Sequence, residues 1–288
     1  MTRRPSISRC RLGWKVFSQE GPRNWKLVLP SYYATLFEDV LQQLLKKNSD
    51  GFHDTSKGKH RFAAFPDLDE RDVSKIQAFL DFYERTLCLS TNKNIENDFT
   101  DELDFCVALD LIRSAPNRKD RTEIGEWEHQ AKYSQDAEAL SQLANEMCRA
   151  IRMLPLSRIP KPRILTYVPS NPKKKFHMPA DLAASIQARM PETFWDTEAP
   201  LLVPTLAAEK QAAKDMTVIQ KTAQWEKLAQ DKAIRLSRPV RDCSLIVVDD
   251  LYQSGASLWS FAKFLKTRGA AFVVGLACVK SLRDTDNK

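Results

Sequence analysis

Two carboxylates stand side by side in the stretch "SLIVVDDLYQSGAS", residues 244–257. Asp249 and Asp250 follow an apolar run, and Ser254, Gly255, Ala256 and Ser257 lead into an amphipathic segment. Adjacent carboxylates repel each other, so something they bind must reward the pairing. A diol does so, because two neighbouring hydroxyls can each donate a hydrogen bond to a carboxylate. The loop that follows suits an anion. Gly255 lets backbone come close to a ligand, and backbone N–H groups at a helix start cradle phosphate. Ser254 and Ser257 add hydroxyl donors. The segment reads as a diol clamp joined to a phosphate cradle, which together would recognise a ribose 5-phosphate.

Such a site needs a strand to deliver the acids and a helix to receive the loop. The spacing predicts a strand over 244–248, a helix over 257–268 stopped by Gly269, and a strand over 271–278. Upstream, apolar residues at helical spacing predict a helix over 136–154, "RILTYVP" a strand, and residues 179–190 a helix with proline near its first turn. Residues 205–236 are polar and helix-permissive. Strands alternating with helices and reading as continuous apolar runs predict an α/β fold on a parallel sheet, where ligands sit beyond the carboxyl ends of strands. The first third is mixed. A strand is expected over 25–29, helices over 33–45 and 70–89, and a loop over 50–60, while 101–112 suits strand or helix. The polar break "PNRKD" at 116–120 suggests a boundary, giving an N-terminal mixed α/β region over 1–120 and a second domain over 121–288.

The composition admits this plan. The chain has 288 residues, 43% hydrophobic and 28% charged, enough for a packed core. No apolar run approaches the ~18 residues of a membrane span. Six scattered cysteines without CxxC spacing fit a reducing cytoplasm, and four unclustered histidines argue against zinc. The net charge of +7 is partly concentrated in two acid-free segments, 1–15 and 160–175. These suggest an anionic partner: a phosphorylated substrate, a nucleic acid or a membrane surface.

At residues 246–257 the resemblance to a known family becomes specific. "IVVDDLYQSGAS" resembles the 5-phosphoribosyl-1-diphosphate (PRPP) signature of type I phosphoribosyltransferases: apolar strand, two acids, three variable residues, then Ser/Thr-Gly-x-Ser/Thr. The resemblance implies that Asp249 and Asp250 hold the ribose hydroxyls. It also implies that the loop Leu251, Tyr252, Gln253, Ser254, Gly255, Ala256 and Ser257 receives the ligand, with 253–257 around the 5-phosphate. "ILTYVPSNPKKK" resembles the family's second element, a strand ending in a Val-Pro turn near the pyrophosphate. That places Ser170, Asn171, Lys173 and Lys174 there, with Lys175 beside them. Gln253 stands where 6-oxopurine members have an aspartate that acts on the base. Glutamine does not transfer protons, so purine salvage is not expected. "TEIGEWEHQAKYSQDAEALSQLANEM" is similar to the ComF-like (competence protein F) branch through Lys132, Tyr133, Leu140, Leu143 and Ala144. A basic segment around Thr222 and Gln224 implies a hood whose Lys210, Lys214 and Lys221 reach the diphosphate. The zinc module that often precedes this branch has no four-cysteine counterpart here.

What the family implies is transfer of ribose 5-phosphate to a nitrogen acceptor. Mg²⁺ would enter with PRPP, held by the ligand's oxygens and water rather than directly by the protein. Two other readings stay open: a non-catalytic PRPP or nucleotide-binding regulator, and a nucleic-acid-associated protein of the competence or phage-defence type. The basic N-terminal region would meet a nucleic acid or protein partner, no membrane partner is expected, and a homodimer is left open.

Overall fold

A computed structural model of the chain describes residues 7–91, 102–114, 119–209 and 216–281, with backbone only at 7–10 and 90–91. In chain order the strands are β1 (Ile7–Cys10), β2 (Val16–Gly21), β3 (Asn24–Pro30), β4 (His53–Asp54), β5 (His60–Phe65), β6 (Leu87–Thr91), β7 (Phe105–Leu111), β8 (Arg163–Tyr167), β9 (Pro204–Leu206), β10 (Ile234–Leu236), β11 (Ser244–Tyr252) and β12 (Phe272–Lys280). The helices are α1 (Ser31–Val40), α2 (Gln42–Asn48), α3 (Glu70–Arg85), α4 (Glu123–His129), α5 (Ala137–Arg152), α6 (Met178–Arg189), α7 (Glu192–Trp195), α8 (Val218–Gln230) and α9 (Ala256–Thr267). Between α4 and α5 runs a π-helical turn, Gln130–Ser134.

The chain divides into two compact units. One holds residues 7–9, 87–149 and 159–288 so far as these are described, and the other 10–86 and 150–158. The first unit has the α/β fold expected from the sequence. Its six-stranded sheet has the order β1-β6-β7-β12-β11-β8. Strands β7, β12, β11 and β8 run parallel to one another, and β6 pairs antiparallel to β7. Strands β11 and β12 are buried along most of their length, as strands covered by helices must be. Helix α9 packs its Leu258, Phe261, Ala262 and Leu265 into one core with Leu245, Val247, Val273 and Ala277. Gly269 (φ +90°) ends α9's chain segment in the left-handed region, as a helix stop requires.

This sheet takes in residues before the break at 116–120. Strand β7 lies between β6 and β12, so the compact unit reaches back to Leu87 rather than starting at 121. Residues 116–118 lie outside the described residues. The segment 205–236 is not one helical stretch. Strands β9 and β10 pair antiparallel across it, Leu206 opposite Ile234. Helix α8 begins only at a capping box, where the Thr217 hydroxyl accepts from the Gln220 N–H (3.3 Å) and Gln220 accepts from the Thr217 N–H (2.8 Å).

The second unit carries a four-stranded antiparallel sheet, order β2-β3-β5-β4, with α1, α2 and α3. Leu27, Leu29, Ala63 and Phe65 point to one face and are fully buried with Phe37, Phe79 and Tyr83. The expected helix over 33–45 breaks at Leu41 into α1 and α2. The expected helix over 70–89 ends at Arg85, and Thr86 is extended, because 87–91 joins a sheet instead. The loop over 50–60 contains the short strand β4.

The start of α3 is held by a charge cluster. Asp69 caps it, accepting the Asp72 N–H at 2.7 Å. The buried Asp72 carboxylate accepts from Lys75 (2.8 Å), Asn48 (3.0 Å) and Lys47 (3.1 Å). These donors, Lys75 foremost, lower its pKa from 3.8 to about 2. A lowered carboxylate pKa means stability that is present above the unfolded value and lost as pH falls through the folded one. Acid unfolding of the wild type is therefore expected to steepen between about pH 4 and 2. Asp72→Asn should flatten that limb and cost about 1–2 kcal/mol at neutral pH, the exposed lysines being screened. Chemical denaturation across pH checks both.

Candidate functional site

The cavity forms where β11 outlasts its neighbour. Strand β8 pairs with β11 only from Arg163 opposite Ser244 to Tyr167 opposite Val248. On the other side β12 accompanies β11 to Tyr252 opposite Lys280. The strand thus runs four residues past the expected end at 248, and Asp249 and Asp250 sit within it. Beyond Val248 the β8 chain turns away through Val168, Pro169 and Ser170. Between that turn and the β11 end opens a cavity of about 480 Å³.

One wall is the acid pair and the loop into α9. Asp249, Asp250, Leu251, Gln253, Ser254, Gly255, Ala256 and Ser257 all line the cavity. Tyr252 does not. It is buried and packs edge-on to Trp259, at 6.2 Å between ring centres. Gly255 is at φ +82° at the mouth of α9, and a Cβ there would come within 2.4 Å of the Tyr252 hydroxyl and 2.9 Å of Trp259. Glycine is needed both for the backbone and for the space. The Ser254 hydroxyl accepts weakly from the Ala256 N–H (3.4 Å), and the Ser257 hydroxyl accepts from the Trp225 indole of α8 at 3.4 Å.

The opposite wall comes from 168–179. Ser170 and Lys174 line it, and Lys175 joins them. Asn171 and Lys173 lie off the cavity lining. Asn171 instead closes its own turn, accepting from the Lys173 N–H at 3.1 Å, and Lys173 pairs with Glu209. His177 clasps this loop, one ring nitrogen on the Ser170 hydroxyl and the other on the Lys174 carbonyl. Sequence reasoning missed His177, because nothing near it in sequence marks it. From α8, Lys221 lines the cavity, while Thr222 turns back to the helix carbonyls of Val218 and Ile219. Lys210 and Lys214 lie outside the described residues.

The acids themselves are not equivalent. Asp250 pairs with Lys132 at 2.7 Å, and Lys132 also reaches Glu128 at 3.2 Å. Glu128 is buried, with 2% of its side chain exposed. Lys132 sits in the π-helical turn, a rare conformation that often occurs at functional sites. Its neighbour Tyr133 lines the cavity and is 69% exposed. Burial opposes the charge on Lys132, yet Asp250 and Glu128 outweigh it and raise its pKa. Burial likewise opposes ionised Asp250, and Lys132 overcomes this and lowers its pKa. Glu128 is raised, by burial first and by Asp250 against the pull of Lys132. Asp249 accepts the Asp250 N–H at 3.0 Å. The two acids, both on the cavity wall, are therefore held differently: Asp250 by the Lys132 ammonium, and Asp249 by the Asp250 N–H. Among the described residues no group of three or more His, Cys, Asp or Glu side chains is placed to hold a metal.

Lys132→Met would leave Asp250 and Glu128 without their shared cation. It should destabilise the protein by about 2–4 kcal/mol at neutral pH. The wild-type contribution of ionised Asp250 is present above the ordinary aspartate range and is lost as pH falls through its lowered pKa. The deficit of the variant should therefore shrink on acidification, which urea unfolding at several pH values reads directly. Gly255→Ala should cost about 2 kcal/mol or more from backbone strain and the clash with Tyr252, visible as a lower Tm.

No protein-family model matches the chain, and no curated protein matches it. Several solved structures are similar in part. A hypoxanthine phosphoribosyltransferase from Staphylococcus aureus shares 10% identity over 50% of this chain and 64% of its own, with a TM-score of 0.32. A hypoxanthine-guanine phosphoribosyltransferase from Bacillus anthracis shares 11% over 50% and 70%, with a TM-score of 0.32. The enzyme from L. donovani shares 16% over 49% and 65%, with a TM-score of 0.27. The chain thus spans less than two thirds of the length of the first and third of these solved structures.

Proposed function

We propose that this chain binds PRPP in the cavity between β8 and β11 and transfers its ribose 5-phosphate to a nitrogen acceptor. The observation that carries the reading is one continuous wall. It runs from the acid pair through Gln253, Ser254, Gly255, Ala256 and Ser257 to the start of α9, with Lys174, Lys175 and Lys221 on the same cavity. In this reading Asp249 and Asp250 accept hydrogen bonds from the two ribose hydroxyls. The loop and the first turn of α9 hold the 5-phosphate with backbone N–H groups. The lysines attract the diphosphate and stabilise its charge as it leaves C1. The chain contributes mainly position and electrostatics.

The donor set fits Mg²⁺ only as a passenger of the ligand. Asp250 is already tied to Lys132, so the protein offers the ion at most the Asp249 side of the pair. When bound, Mg²⁺ would supply charge neutralisation at the diphosphate. The resemblance of 122–147 to the ComF-like branch is consistent with Lys132 and Tyr133 both standing at this cavity, though the acceptor would be a different one from a purine.

A second reading is binding without transfer, as in a regulator. It is favoured by the engagement of both His177 ring nitrogens and by Gln253, which leave few groups able to take a proton from an acceptor.

A thermal-shift titration tests the shared claim. PRPP with Mg²⁺ should raise the wild-type Tm progressively, reaching about 2.7 kcal/mol of stabilisation at a hundredfold excess over Kd. Asp249→Asn, which leaves the Lys132–Asp250 pair in place, should lose most of the shift. No shift in the folded wild type would overturn the reading. Loss of PRPP over time with an acceptor supports transfer, and binding with PRPP intact supports the regulator.

A further inference from the structure

Directly behind the loop lies a lysine that the cavity does not contain. Lys280, the last residue of β12, is fully buried, with 0% exposure. Its Nζ donates to the Gln253 carbonyl at 2.8 Å and to the Ser281 carbonyl at 2.7 Å, and lies 5.6 Å from the centre of the Tyr252 ring. The adjoining Ser281 N–H donates to the Tyr252 carbonyl at 3.0 Å. The end of β12 thus grips two successive carbonyls at the point where β11 becomes the loop.

Peptide groups are planar and trans, so the C=O of one residue and the N–H of the next point in opposite directions. With the Gln253 carbonyl turned onto Lys280, the Ser254 N–H is turned to the other side. Gln253 and Ser254 line the cavity and Lys280 does not. Among the described residues, no backbone hydrogen bond of the loops and turns uses the Ser254 N–H. We propose that Lys280 is a positioning residue that aims the Ser254 N–H into the cavity as a donor to the ligand's 5-phosphate. This rests on the ribose-phosphate reading above. A fixed donor needs no reorganisation when an anion arrives, and that is the source of its strength. A loop free to flip this peptide would present a carbonyl oxygen to the phosphate instead.

The probe is ribose 5-phosphate, followed by amide NMR on the full chain. In the wild type the Ser254 amide should be among the most strongly shifted signals on titration. Lys280→Met, close in volume but without donors, should weaken binding by about tenfold to a hundredfold, the loss expected for one hydrogen bond to a charged group. The Ser254 shift should disappear with it. The Trp225 indole N–H, buried and bonded to Ser257, reports whether the variant keeps its fold. A wild type that binds without moving the Ser254 amide overturns the inference, even where the variant does not fold. A folded Lys280→Met that binds as wild type and keeps the Ser254 shift overturns it too, while the ribose-phosphate reading stands. A wild type that shows no cavity shifts overturns both.

Discussion

Two adjacent carboxylates at the end of a buried strand are tolerable here because a partly buried ammonium answers one of them. The Lys132–Asp250 pair at 2.7 Å, backed by Glu128, sets the electrostatics of the whole cavity. Removing two charges from water is costly, and a buried ion pair returns that cost only with good geometry. Its value here is placement. Asp250 cannot swing away, and through its N–H it also holds the Asp249 carboxylate at 3.0 Å. The cluster presents a defined pair of acceptors rather than two mobile charges. The buried Cys278 thiol lies in the same field. Burial first, then Asp250, Glu128 and Asp249, raise its pKa and keep it protonated.

The cavity itself follows from unequal strand lengths. Strand β11 is stitched to β12 through Tyr252, whereas β8 leaves after Tyr167. Everything beyond Val248 therefore has a partner on one side and open space on the other. Two loops fill the rim of that space, and each is closed by a local clasp. His177 ties 170 to 174 on the β8 side, and Lys280 ties 253 to 281 on the β12 side. Lys280 acts on two backbone carbonyls and His177 on one carbonyl and the Ser170 hydroxyl, so the site is built by fixing main chain as well as by choosing side chains.

The acid pair, the Ser254-Gly255-Ala256-Ser257 loop and the alternating elements after 136 were legible in the sequence, because local chemistry dictates them. An apolar run, a left-handed glycine and a helix start leave marks within a dozen residues. What was not legible depends on contacts between distant segments. Tyr252 sits inside the signature yet faces the core, since strand pairing with Lys280 turns it there. Lys280 lies beyond the strand expected over 271–278, though a basic residue closing a long apolar run was a signal. Glu128 and Lys132 are four apart, a helical ion pair on paper, and only the fold brings Asp250 to them. In the first third, 87–89 continues a helical periodicity but joins a sheet, because pairing with β7 overrides local preference.

The central claim is that the wall from Asp249 to Ser257 holds a ribose 5-phosphate. A crystal structure of the chain with PRPP and Mg²⁺ tests it most directly. The account predicts the 5-phosphate against the backbone of 253–257, the ribose hydroxyls on Asp249 and Asp250, and the diphosphate toward Lys174, Lys175 and Lys221. A phosphate seated elsewhere, with the acid pair touching no sugar, would contradict it.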